Sequence, residues 1–528
     1  MSLLRSTRLI STLTMFSRVL GLVREQLLAA LLGAGAEADA YNIAFRIPNL
    51  FRDLLAEGAL SAAFVPVFAK VDKQVSREEA FVLGQRVAGV LALVIGALTL
   101  LGYLFTGVIV QTIAPGFSSS PAQATLTLTL TQVMLPSLML TSFAAVAMGM
   151  LNAQRIFGPP AFASSAFNIV AITFGVVLAV MHESPQDTAW GWALGVVLGA
   201  GAQMLVQVPA LLRSGFRLRL RFQIDDNVKA IMRMMAPATL GLAATQLNIV
   251  INSRFASEFA GGPASLNYAF RLLYLPIGVF GVAIATVSTT ALAERVALGD
   301  EKGVRKTIRD SLSLLAFLTV PSSVGLWVLS EPIIAMIYQR RAFTADTTHA
   351  VAGATAVYAI GLFAYSAVKV LAPIYYARRR THVPLIASVV AVLCNIAVSY
   401  SLRAQMGFLA MALGTSVAAW ANVSVLTLLL GRAAPASIDG EERAERRRAW
   451  RSFGKVCIAA AVMGAAGFYG LRALPPASSV PQTLRIAFGI GSVAVCGIVY
   501  IAVAALLKTP EVAVFTGVLR RRLKRTAP

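Results

Sequence analysis

Residues 15–58 read MFSRVLGLVREQLLAALLGAGAEADAYNIAFRIPNLFRDLLAEG. The stretch has the apolar content of a membrane segment, yet it carries Arg18, Arg24, Arg46 and Arg52 together with Asp39, Asp53 and Glu57. An arginine at the centre of a spanning helix costs ~2.5–3.5 kcal/mol, so such residues are found facing a bundle interior or a water-filled cavity. Four of them in one stretch point to a cationic cavity inside a helical membrane protein. Two admit a competing reading. Arg24 and Arg52 each precede an acid, Glu25 and Asp53, with which they can pair, and long basic side chains near helix ends also snorkel to the interface.

Composition agrees with a membrane protein. The 528 residues are 57% hydrophobic and 13% charged, about half the charge of a soluble domain. The basic start, MSLLRSTRLISTLTMFSRV, is not read as a cleaved leader, because Arg18 interrupts its apolar region and no small-residue cleavage site follows. Cys394, Cys457 and Cys496 lie in apolar runs and suggest packing, not a disulfide framework or a metal site. His182, His349 and His382 are scattered. A net charge of +22 does not call for nucleic acid, because the charges fall between apolar segments.

Spans of about 20 apolar residues are expected near 8–33, 37–69, 79–112, 124–153, 161–182, 188–212, 228–259, 264–294, 304–329, 346–376, 384–402, 407–431, 450–473 and 483–507. The chain therefore reads as an all-α polytopic membrane protein with about 14 transmembrane helices. One set of loops is rich in Lys and Arg, as at 70–77, 213–221, 295–306, 378–380 and 443–448. The alternate set, including SSSPAQA from Ser118 and PPASSVPQ from Pro475, nearly lacks them. The positive-inside rule then places both termini in the cytoplasm. The basic tail, 508–528, also suits anionic headgroups.

An internal repeat joins the halves. Ala44-Phe45-Arg46 matches Ala269-Phe270-Arg271, and Asn168-Ile169 resembles Asn395-Ile396. Two pseudo-symmetric six-helix lobes follow, 1–215 and 225–432, with two further helices in 450–507. Six helices per repeat preserve the inside/outside sense, as in parallel-repeat transporters that hold substrate between their halves. The second half adds Arg271 to the cavity, with Arg254 and Lys369 as secondary candidates beside Arg46.

Arginine presents a planar fork of donors to phosphate oxygens and stays charged when desolvated. Several converging arginines suit a phosphorylated or carboxylated anion. Ser17 lies about two turns before Arg24 and can share its face, whereas Arg18 and Arg24 sit about 120° apart on a straight helix. Gly21 between them permits a bend or close helix packing. Asp39 and Glu57 are candidate partners for unoccupied arginines. No GxSxG, P-loop or His/Asp cluster appears, which argues against an enzyme acting on polyprenyl diphosphates. A cation-drug exporter would want an acidic cavity.

TMFSRVLGLVRE, GAGAEADAYNIAFRIPNLFRDLLAEGALSAAFVPVF, APGF, NYAFRLLYLPIGVFGVAIATV and VKVLAPIYYARR resemble the MurJ (MviN) family of lipid II flippases, within the multidrug/oligosaccharidyl-lipid/polysaccharide exporter superfamily. The resemblance implies a non-enzymatic, cofactor-free transporter of the bacterial cytoplasmic (inner) membrane. It would carry lipid II, an undecaprenyl-diphosphate-linked disaccharide pentapeptide, from the cytoplasmic to the periplasmic leaflet by alternating access. It further implies a lipid-tail groove at 450–507, diphosphate contacts from Ser17, Arg18, Arg24, Arg52 and Arg271, and cavity or gate carboxylates at Asp39 and Glu57. Membrane lipids and the cell-wall synthesis machinery are the further partners it suggests. Some members bind sodium through carboxylates on helices 7 and 11. Here the corresponding polar residues are Asn248, Asn395, Ser399 and Thr415, with no acid among them, so a sodium site is weakly supported. The alternative is an exporter of another lipid-linked oligosaccharide or polysaccharide of the same superfamily.

Overall fold

The computed structural model describes residues 3–54, 59–182, 184–432, 440–473, 475 and 480–512. Most of the basic tail, including Arg520 and Lys524, lies outside the described residues. The architecture is all-α. Ten helices among the described residues are long and apolar enough to cross a membrane, or eleven if Ala345–Ala359 and Leu362–Ala377, bent by 43°, make one span. The expected spans near 8–33, 37–69 and 228–259 are the exceptions. They too fall on helices, Leu3–Leu32, Ala36–Arg52 followed by Ala59–Gln74, and Asp226–Ala256. Ala36–Arg52 and Ala59–Gln74 are short separate helices of 17 and 16 residues, and Leu3–Leu32 carries Arg18, Arg24 and Glu25, so the count of 14 is approximate.

Helix starts follow local chemistry. Ser76 accepts from Glu79 N at 3.1 Å, Asp225 from Val228 N at 2.9 Å, and Asp300 from Gly303 N at 2.8 Å, each satisfying an orphan first-turn donor. Pro121, Pro136 and Pro185 open helices at the position where no N–H is needed.

The repeat is visible in the helix boundaries. Arg77–Leu104 and Glu301–Val328 correspond, as do Pro136–Ala153 and Leu362–Ala377, and Gly158–His182 and His382–Met406. Even the breaks recur. Phe105 (φ −102°, ψ 16°) and Leu329 (φ −97°, ψ 15°) interrupt their helices in the same conformation. Arg155 and Arg379 both end a helix with positive φ, 62° and 58°.

The chain divides into two compact units, Met1–Ala264 with Arg340–Phe343, and Ser265–Gln339 with Thr344–Pro528. The first has an aromatic seam in which Phe64, Phe68, Phe81 and Phe216 touch in succession, with centroids 5.4, 6.3 and 5.6 Å apart. The repeat assigns Asp226–Ala256 to the second half, but packing puts this helix in the first unit. There Arg254 Nη1 donates to Thr112 O at 2.7 Å and Gly116 N donates to Ser257 Oγ at 3.1 Å.

In the second unit, Gly440–Arg472 and Gln482–Leu506 pack on Glu301–Val328 around Phe317, Met463 and Tyr500. Tyr500 donates to Phe317 O at 2.7 Å. Arg305 meets Glu442 at 2.6 Å, Arg309 pairs with Glu445, and buried Glu511 accepts from Ser313 and Ser452. The last two spans are therefore bolted to this unit by ions and hydroxyls as well as by apolar contact.

The turn between Leu3–Leu32 and Ala36–Arg52 depends on Gly33. Its φ is +61°, and a Cβ there would lie 2.5 Å from Ala342 O. Left-handed backbone alone costs an ordinary residue ~1–2 kcal/mol, and the carbonyl contact adds to it. Gly33→Ala should therefore lower the melting temperature of the detergent-purified protein clearly. Gly96→Ala, at a glycine with nothing within 4 Å, should leave it unchanged.

Candidate functional site

In the first unit, Leu3–Leu32 carries Ser17, Arg18 and Arg24. Arg18 is exposed and Ser17 half-buried, the Ser17 carbonyl accepting from Asn168 Nδ2 at 3.4 Å. Arg24 is mostly enclosed. Its Nη2 meets Glu25 Oε1 at 2.9 Å, with the two side chains 11% and 6% exposed. Its guanidinium also lies 5.8 Å from the Phe45 ring centroid and 5.5 Å from that of Phe167. Rings at that range attract a cation through their quadrupoles, so Arg24 ties three helices together through one charge.

Ala36–Arg52 carries Asp39, Arg46 and Arg52. Arg46 Nη1 meets Ser253 Oγ at 3.3 Å. Arg52 contacts Asp53 Oδ1 through Nε at 3.3 Å and Nη2 at 3.1 Å, while Gln246 donates to the other Asp53 oxygen at 3.3 Å. The pairing of Arg24 and Arg52 with the acids that follow them, left open by the sequence, is therefore present for both. Arg254 is spent on the Thr112 carbonyl. Glu57 lies outside the described residues.

Asp39 is fully buried. Instead of an arginine, its two oxygens take backbone donors, Gly261 N at 2.7 Å and Ala264 N at 2.8 Å. These sit at the start of helix Gly262–Pro276, where a carboxylate satisfies orphan N–H groups and complements the helix dipole. The acid thus fixes the start of the helix that carries Arg271. The sequence offered only its charge as a signal; the donors lie more than two hundred residues away.

In the second unit, Arg271 is half-buried. Its neighbour Phe270 packs edge-on to Tyr274 and Tyr358, each centroid 5.1 Å away. Lys369 lines an open cleft of about 460 Å³ with Thr286, Thr289, Thr290, Val282 and Ala285. Of the sodium candidates, Ser399 Oγ donates to Asn395 Oδ1 at 3.1 Å and Thr415 donates to Met411 O at 2.8 Å. Asn248 belongs to the first unit. Among the described residues, no group of His, Cys, Asp or Glu is arranged to hold a metal ion.

The profile of Lipid II flippase MurJ matches residues 28–523. The chain belongs to the MurJ family. It is 35% identical to the probable lipid II flippase MurJ of Rhizobium tropici, over 100% of this chain and 98% of that protein. It is 32% identical to the lipid II flippase MurJ of Burkholderia cenocepacia, over 81% of this chain and 84% of that protein. A solved structure of lipid II flippase MurJ in an inward closed conformation superposes with a TM-score of 0.76 at 26% identity, covering 94% of this chain and 98% of that one. A multidrug resistance MATE transporter in an inward-facing conformation shares the fold, with a TM-score of 0.63 at 14% identity over 80% of this chain and 97% of that one. The MurJ profile begins after Arg24, whereas the full-length Rhizobium match takes in Ser17, Arg18 and Arg24.

Asp39 should show its capping role in stability. Asp39→Ala leaves two buried donors unsatisfied, at ~1–3 kcal/mol each. It should lower the melting temperature more than Asp39→Asn, because asparagine is also a good cap acceptor.

Proposed function

We propose that this chain is a flippase that moves lipid II from the cytoplasmic to the periplasmic leaflet by alternating access. It would work in the bacterial inner membrane with both termini cytoplasmic. The observation that carries the reading is the placement of Arg18, Arg24 and Arg52 on the helices least able to pass as ordinary spans, in a chain of the MurJ family. The diphosphate is the part of lipid II that these groups suit. Arg18 offers an exposed first contact. Arg24 and Arg52 are held by Glu25 and Asp53 until a doubly charged ligand competes for the guanidinium forks. Glu57 is retained as a cavity or gate carboxylate. The exposed apolar faces of the last two spans, including Ile458, Val462, Ile490 and Ile498, suit the polyprenyl tail.

Arg24 has a structural and a ligand-binding role to separate. Arg24→Ala strands buried Glu25, which costs ~3–5 kcal/mol when one partner of a buried pair is removed. Adding Glu25→Gln removes that penalty. We expect the double variant to recover melting temperature and expression yet fail to support growth of a flippase-depleted bacterium, and Arg24→Lys to rescue only in part. Wild-type growth of the double variant would show Arg24 to be structural.

The cycle proposed here uses no sodium site. Moving one charge through 100 mV is worth about 2.3 kcal/mol. A diphosphate carries roughly two negative charges, by analogy with phosphorylated groups, so an inside-negative potential favours export. Reconstituted flipping should respond to the sign of a potassium-diffusion potential and persist without sodium. Indifference to potential together with loss on sodium removal would overturn this part of the proposal.

A further inference from the structure

Residues 216–225 read FRLRLRFQID. They form neither helix nor strand and connect Val208–Arg213 to Asp226–Ala256. Both ends are pinned to helix Arg77–Leu104. Phe216 packs edge-on to Phe81, centroids 5.6 Å apart, and Asp225 pairs with Arg86 at 2.7 Å. Between the pins, Gln85 holds the backbone, its Nε2 donating to Arg217 O at 2.8 Å and its carbonyl accepting from Arg221 N at 3.2 Å. Gly89 makes the close approach possible, since a Cβ there would lie 2.3 Å from Arg221 O.

This fastened segment turns its side chains outward. Every residue from Arg217 to Ile224 is exposed, with Leu218 at 63% and Phe222 at 58%. Leu218, Leu220, Phe222 and Ile224 alternate with Arg217, Arg219 and Arg221. An extended chain sends successive side chains to opposite sides, so one edge is apolar and the other cationic. Covering large apolar side chains is favourable, so four of them in water is a poor arrangement for a segment fixed in place. The segment follows directly from a candidate span, Pro185–Arg213, which puts it at the level where a bilayer gives way to headgroups. There, leucine and phenylalanine reach acyl chains while guanidinium groups stay among phosphates. The acids that follow do not offset its charge, because Asp225 pairs with Arg86 and Asp226 with Lys229.

We infer that residues 217–224 form an interfacial strap that binds anionic phospholipid headgroups and anchors the first unit to the adjacent leaflet. The apolar edge supplies general lipid affinity, and the three arginines supply the preference for negative charge. One basic residue beside an anionic surface changes partitioning by about fivefold. The inference rests on the membrane fold and does not depend on what the protein transports.

The test uses the full-length protein with its native cysteines replaced by serine and Leu220→Cys carrying an environment-sensitive fluorophore. It is reconstituted in phosphatidylcholine vesicles with phosphatidylglycerol as a minority lipid. Bromine is placed on the acyl chains of one lipid or the other. Both should quench the label, and brominated phosphatidylglycerol should do so severalfold more strongly at equal mole fraction. R217Q/R219Q/R221Q should lose most of that preference while phosphatidylcholine still quenches, and R217K/R219K/R221K should keep it. A label that neither lipid quenches would overturn the inference and leave this face to water or a protein. A preference unchanged in the glutamine variant would equally overturn the assignment of the arginines.

Discussion

A guanidinium held inside an apolar bundle needs acceptors, aromatic faces or water around it, and much of the first unit is arranged to meet that need. Arg24 takes a carboxylate from its own helix and ring faces from two others. Arg52 takes Asp53, which Gln246 steadies from helix Asp226–Ala256. Arg46 reaches a serine on that same helix. Each contact is weak as an isolated surface interaction, but for the enclosed Arg24–Glu25 pair the loss of either partner leaves a costly charge. The helices bearing these groups carry more charge than the spans around them.

Two irregularities sit near this chemistry. The helix carrying Arg52 loosens into a wider turn at Asp53 and Leu54, and the helix carrying Arg271 does so at Ile277–Gly281, just after Pro276. They fall at matching places in the repeat. Such widened turns recur at functional sites because they redirect side chains without ending a helix. The last two spans form a separate apolar cluster with Glu301–Val328, so they are structurally part of the second unit despite lying outside the repeat.

Most of the helical architecture was legible in the sequence because hydropathy is a local property. Apolar runs marked about 14 spans, of which ten or eleven are long and apolar enough to cross a membrane among the described residues, and Ala44-Phe45-Arg46 against Ala269-Phe270-Arg271 disclosed a repeat that the helix boundaries follow. The Arg24–Glu25 and Arg52–Asp53 pairs were also legible, since the partners are neighbours in the chain. What escaped depends on packing across long separations. Nothing around Asp39 announces two backbone donors near residue 262, nothing around Phe167 announces Arg24, and nothing in the repeat register announces that Asp226–Ala256 packs with the first unit. Ser399 and Asn395 are one turn apart and could be paired from sequence, but whether their oxygens remain available could not.

Asp39 and Ala264 are counterparts in the repeat, so the bond between them joins a residue to its own duplicate. The present arrangement needs one copy to keep the acid and the other to offer only a backbone N–H. The two copies of this repeat position therefore do different work, one through its side chain and the other through its backbone.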